Sequence, residues 1–164
     1  MHVVHLEDDG PLREILKVAF EAADPSVELH QFVSSNAAIE YIEKNLNEID
    51  LFVLDIRVPG TMNGIQVAEK IRELNAQGAI VLTSAYQAPE RDFLNKLQCE
   101  WFPKPWHIME TTKKLFELAR KEPKKDSKKD TGELITKKKT DADSTAELPK
   151  NLIRGGKKPS KSKK

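Results

Sequence analysis

Asp50-Leu51-Phe52-Val53-Leu54-Asp55-Ile56-Arg57-Val58-Pro59-Gly60, running on to Asn63-Gly64, is the stretch on which the fold turns. Leu51 to Leu54 is an apolar run with no polar break, the pattern of a strand buried on both faces of a parallel sheet. The run stops at a carboxylate, Asp55. Pro59, Gly60 and Gly64 then mark a loop before a new helical pattern begins. Open parallel sheets collect ligands and chemistry at the carboxyl ends of their strands, and Asp55 stands at such an end. A carboxylate there serves as a metal ligand, a nucleophile or a helix cap, and the rest of the chain decides between these.

Similar units flank this stretch on both sides. Upstream, Val3, Val4 and Leu6 form a short apolar strand ending in Glu7-Asp8-Asp9. Pro11 suits the first turn of a helix, and Leu12, Ile15, Leu16, Ala19 and Phe20 recur at helical spacing to about Ala23. Val27, Leu29, Gln31 and Val33 alternate as an edge or half-buried strand. Ser34 or Ser35 is placed to cap a second helix with Ala38, Ile39 and Ile42 inward. Downstream, a helix follows Asn63-Gly64, then a strand at 79–83, a helix at 89–97, a short strand at 100–102 and a helix from Trp106 or His107 to Arg120. Strand then helix, five times in about 120 residues, predicts an α/β, doubly wound (βα)5 flavodoxin-like fold: a five-stranded parallel sheet in order 2-1-3-4-5, with helices on both faces and right-handed crossovers.

The chain has 164 residues, and its net charge of +1 conceals two opposite regions. Residues 1–120 hold 12 Lys/Arg against 19 Asp/Glu, a net of −7, while residues 121–164 hold 15 against 7, a net of +8. The expected organisation is a folded domain over 1–120 and a disordered Lys-rich tail over 121–164. That tail has too few apolar residues to offset the entropy of ordering. No stretch approaches the ~20 apolar residues of a membrane span, and no signal-peptide pattern opens the chain. A single cysteine, Cys99, excludes an internal disulfide and suits a reducing, cytoplasmic setting. The four histidines are scattered, and His2 and His5 fall on opposite faces of one strand, so no histidine metal site is expected.

In the 2-1-3-4-5 order the strand ends meet around strands 1 and 3. Glu7-Asp8-Asp9, Asp55, Ser84 and Lys104 then share one crevice. Clustered carboxylates repel unless a cation intervenes, and magnesium takes one or two carboxylates together with phosphate oxygens. A lysine beside such a site is useful only when an anion arrives. Acids, hydroxyl and lysine together fit phosphoryl chemistry with Asp55 as nucleophile.

These residues resemble the receiver domain of two-component response regulators, over residues 2 to about 120. Glu7-Asp8 resembles the acidic pair. Leu54-Asp55, with Pro59 and the later Gly64, resembles the phospho-acceptor loop. Ser84-Ala85 resembles the hydroxyl followed by a small residue, and Lys104-Pro105-Trp106 the Lys-Pro-aromatic turn. The resemblance implies that Asp55 is phosphorylated by a histidine kinase or a histidine phosphotransfer protein. It implies Mg2+ held by Asp8, by Glu7 through water, by Asp55 and by the backbone carbonyl of Arg57. It makes Lys104 the phosphoryl partner, across a cis Lys104-Pro105 bond. Ser84 and Trp101 become the switch pair, and a downstream protein reads the fourth helix, fifth strand and fifth helix. Catalysis is limited to self-phosphorylation and autodephosphorylation, so the chain is expected to be a signalling module and not an enzyme.

Four features depart from the family pattern. Asp9 is a further candidate acid, taken as a loop residue. The loop from Asp55 to Gly64 is one residue longer than usual. Trp101 is larger than the usual Tyr or Phe. Arg57 puts a long cation within reach of the phosphoryl group. Three rivals remain. One is a phosphorylation-independent scaffold whose basic tail contacts an acidic partner or nucleic acid. Another is a nucleic-acid-associated protein dominated by its tail. The third is an aspartyl-phosphate phosphatase of the haloacid dehalogenase type, which requires a second acid where Arg57 stands.

Overall fold

The computed structural model describes residues 1–121, and the predicted tail lies outside them except for Lys121, which ends the last helix. The elements run β1(His2–Leu6), α1(Gly10–Ala23), β2(Glu28–Phe32), α2(Ser35–Asn45), β3(Leu51–Asp55), α3(Gly64–Glu73), β4(Ala79–Ser84), α4(Arg91–Leu97), β5(Cys99–Pro103) and α5(Ile108–Lys121). All strand pairs are parallel, in the order β2-β1-β3-β4-β5. This is the predicted topology.

β3 is the middle strand, and it feeds both sides of the sheet. Phe52 and Leu54 join Val4, Leu6, Ile80 and Leu82 against Ala38 and Ile42 of α2, Val67 and Ile71 of α3 and Leu97 of α4. Leu51 and Val53 join Val3 and Val81 against Leu16 and Phe20 of α1 and Leu115 and Phe116 of α5. Residues 51–54 are all 0% exposed. At about 1.5–3 kcal/mol for each fully buried side chain, this run anchors the strand that presents Asp55 at its end.

Helix ends follow from local chemistry. The Asp9 carboxylate accepts from Leu12 N at 2.9 Å and caps α1, with Pro11 in the first turn. Asn63 and Gln66 form a reciprocal capping box that starts α3. Ser34 takes the N-cap position of α2 without a side-chain bond. The Ser35 hydroxyl turns instead to the long loop after β3 and accepts from Met62 N at 3.1 Å. Asn36 holds the same loop, accepting from Thr61 N at 2.9 Å. The extra loop residue is thus absorbed by contacts with the start of α2.

Several helix and strand limits differ from the sequence reading by a residue or two. α4 begins at Arg91, not Pro89, because Glu90 has a non-helical backbone (φ −58°, ψ 142°) and stands as the N-cap. α5 begins at Ile108, with the His107 carbonyl accepting its first bond from Thr111 N at 2.9 Å. β5 extends by one residue at each end.

Gly64 lets α3 start hard against the end of β3. A methyl group there would lie 2.1 Å from the Asp55 carbonyl oxygen, and that neighbour is backbone. Gly64→Ala is therefore expected to destabilise the domain by about 1–3 kcal/mol, the range of overpacking. Urea unfolding checks this; an unchanged midpoint would show that the loop yields freely.

Candidate functional site

The ends of β1, β3, β4 and β5 build one crevice. Lys104 follows β5 and donates to two carboxylates, Glu7 Oε2 at 2.5 Å and Asp55 Oδ2 at 2.9 Å. Glu7 is 1% exposed and Asp55 8%. Asp8 completes the group from the exposed side: Glu7, Asp8 and Asp55 each bring an oxygen within 4.8 Å of the others. Three acids face one ammonium, so the crevice carries excess negative charge.

Titration reflects the crowding. Burial raises the Glu7 carboxyl above its ordinary value, against the pull of its hydrogen bond from Lys104. Burial alone would lower the Lys104 ammonium, but its bonds to Glu7 and Asp55 prevail and hold it above the ordinary lysine value. Lys104 therefore stays charged, and the unbalanced part of the site is its carboxylates.

Backbone and side-chain contacts fix the acids. Arg13 in α1 donates to the carbonyls of Glu7 and Asp8, both at 2.9 Å, bracing the loop that carries them. Asp9 N donates to Glu7 Oε1 at 3.3 Å. Arg57 N donates to Asp55 Oδ1 at 3.2 Å. Asp9 does not enter the group of converging carboxylates; its side chain is spent on the α1 cap. The Lys104-Pro105 peptide is cis, as the resemblance implies.

Ser84 ends β4, 3% exposed, and its hydroxyl oxygen accepts from Tyr86 N at 3.0 Å. That leaves its O–H to donate elsewhere. Thr83 points to the opposite face and is fully buried. Trp101 is half-buried on β5, paired with Leu82, and packs on the core under α2, α3 and α4. Its indole N–H has no hydrogen-bond partner among the described residues. Cys99 is partly buried, and burial pushes its thiol up to about 11, so it stays protonated.

Two neighbours of the crevice were not legible in the sequence. The Arg57 guanidinium lies 3.7 Å from the ring centroid of Tyr86, a cation–π contact between the loops that follow Asp55 and Ser84. Tyr86 carries no motif of its own; only its place two residues after Ser84 hints at it. The second is His5, fully buried in β1 between the crevice and α1. Its Nδ1 accepts from Gln31 at 3.1 Å, while its Nε2 is buried without a partner. Burial, then the charges of Lys104 and Arg13, lower its pKa to about 3.

A parallel five-stranded sheet with acids and a lysine gathered at its carboxyl edge defines a class of phosphoryl-handling α/β domain. Within that class the chain belongs to the response regulator receiver domain family, whose family model matches residues 3–115. Solved structures agree on the fold. The receiver domain of Francisella response regulator 1452 is 21% identical, with a TM-score of 0.61 over 73% of this chain and 97% of that one. A CheY-like response regulator receiver domain protein from Methanospirillum hungatei is 17% identical, with a TM-score of 0.62 over 74% of this chain and 94% of that one. A DNA-binding response regulator of the LuxR family from Staphylococcus aureus is 18% identical, with a TM-score of 0.63 over 72% of this chain and 98% of that one. No curated protein matches the chain. Among the described residues, no helix is long and apolar enough to cross a membrane.

Proposed function

We propose that the chain acts as a response regulator, switched by transfer of a phosphoryl group onto Asp55 from a histidine kinase or histidine phosphotransfer protein. One observation carries this reading: a single ammonium, Lys104, bridges Glu7 and Asp55 while Asp8 leaves the crevice over-supplied with carboxylate. Such a donor set fits Mg2+, a hard cation that takes oxygen ligands and tolerates an open coordination sphere. Asp8, Asp55, the Arg57 carbonyl and, through water, Glu7 would hold it. Bound there, Mg2+ would neutralise the carboxylates and the oxygens of the incoming phosphoryl group.

The chain's own residues supply the rest. An Asp55 oxygen attacks phosphorus, an O–P bond forms and the donor's N–P bond breaks, its electron pair leaving with the imidazole. Lys104 exchanges the Asp55 carboxylate for a phosphoryl oxygen. Ser84, whose oxygen already accepts from Tyr86 N, turns its O–H to another. Trp101 then follows Ser84 inward, and the face made by α4, β5 and α5 presents the altered surface to a downstream protein. The added charge of about −1.5 to −2 drives the shift between two states. Catalysis is confined to self-phosphorylation and autodephosphorylation in the cytoplasm. The Lys-rich residues from 122 onward, outside the described residues, carry an excess of positive charge that would suit contact with an acidic partner or nucleic acid.

The test is intact mass after incubation with a small acyl-phosphate donor, with Mg2+ or with a chelator. One phosphoryl group gained only with Mg2+ is expected. No gain under either condition overturns the reading and favours a phosphorylation-independent scaffold.

A further inference from the structure

The opposite end of the sheet carries a second set of ligand-type side chains. His2 opens β1, and Glu28 and His30 lie on β2. The register pairs His2 with Glu28 and Val4 with His30, so all three side chains share the face under α2. One ligand atom from each lies within 4.8 Å of the others. The two imidazole rings are 4.7 Å apart. Tyr41 of α2 braces both: its hydroxyl is 2.7 Å from His2 Nε2, and its ring stacks on His30 at 4.6 Å. His2 is buried, His30 half-buried and Glu28 exposed, so the cluster opens to solvent on one side. Glu48 and Asp50 add to the negative potential that Glu28 sets up around His2.

We propose that His2, Glu28 and His30 form a binding site for a zinc-class divalent cation, distinct from the phosphoryl crevice, that ties the edge strand β2 to β1. Two imidazoles and one carboxylate are a borderline nitrogen and oxygen set, suited to Zn2+ and unsuited to Mg2+. Bond lengths of about 2.0–2.2 Å place tetrahedral ligands about 3.3 Å apart. Closing from the present spacing takes rotations of Glu28 and His30, the two less buried members. Water fills the fourth position. Tyr41 does for His2 what an outer-shell partner does for a metal-bound histidine, holding that ring through its hydroxyl before the ion arrives. The gain falls where the sheet is weakest: β2 pairs only with β1, and none of its five residues is fully buried.

The site is independent of phosphoryl transfer, so its test is too. The untagged, metal-stripped full chain is titrated with Zn2+ against a chromophoric chelator, in an Asp8→Asn/Asp55→Asn background that strips the crevice of two acids. One saturable equivalent is expected, unmoved by millimolar Mg2+. Adding His30→Gln should weaken it by at least about tenfold, and Glu28→Gln, at an exposed position that leaves the fold intact, should weaken it as well. Zn2+ should raise the Tm of the background chain and leave that of the His30→Gln chain where it was. No saturable equivalent in the background, or equal affinity with and without His30, overturns the site.

Discussion

Asp55→Asn is expected to take up no phosphoryl group under conditions that load the unmodified chain, a loss of at least about 10³-fold in rate, the scale on which removing a nucleophile acts. An amide nitrogen or oxygen does not displace at phosphorus as a carboxylate does. Its neighbours do not substitute readily. Glu7 is 1% exposed and bound to Lys104, and the Asp9 side chain is held as the α1 cap. Asp8 is the exposed rival, converging on the same point. The variant should fold, because Lys104 keeps Glu7 as its partner and one crowded carboxylate is gone. Intact mass, read beside the circular dichroism of each chain, decides. A mass gain that survives in Asp55→Asn and disappears in Asp8→Asn would move the acceptor to Asp8 and overturn the assignment.

The central strand was readable because its cause is local. An apolar run ending in Asp55 needs only the chain's own order to become a central parallel strand, and both faces of that strand are indeed buried. The crevice was readable because strand ends in one sheet order must meet. Contacts that depend on register or on side-chain reach were not. Asp9 sits beside two crevice acids in sequence, yet faces the helix it caps. Arg57 was placed near the phosphoryl position, and the structure lays it over Tyr86. His2 and His30 are 28 positions apart in the chain, and only the pairing of β1 with β2 brings them together. His2 and His5 do lie on opposite faces, as alternation requires, but that rule says nothing about what an adjacent strand contributes.

His5 should make the domain sensitive to acid. Its native pKa of about 3 lies below the unfolded value of 6.5. Between those limits the unfolded chain binds a proton that the native chain refuses. Stability is therefore complete above pH 6.5 and falls as pH drops toward 3, by about 1.4 kcal/mol per unit from this one residue. Domains hold only about 5–15 kcal/mol in total, so two units of pH remove a substantial share. Glu7 acts in the other direction: its raised carboxyl takes up a proton in the native state first, which favours folding as pH falls. A variant is needed to separate the two. His5→Leu keeps an apolar side chain of similar size, removes the titration and removes the buried Nε2 that has no partner, while Gln31 keeps its 2.9 Å bond to the Arg13 carbonyl. Urea unfolding at pH 7.5, 6 and 5 should show the unmodified chain losing about 1–2 kcal/mol more than His5→Leu over that interval. Parallel profiles would mean that His5 does not titrate on unfolding.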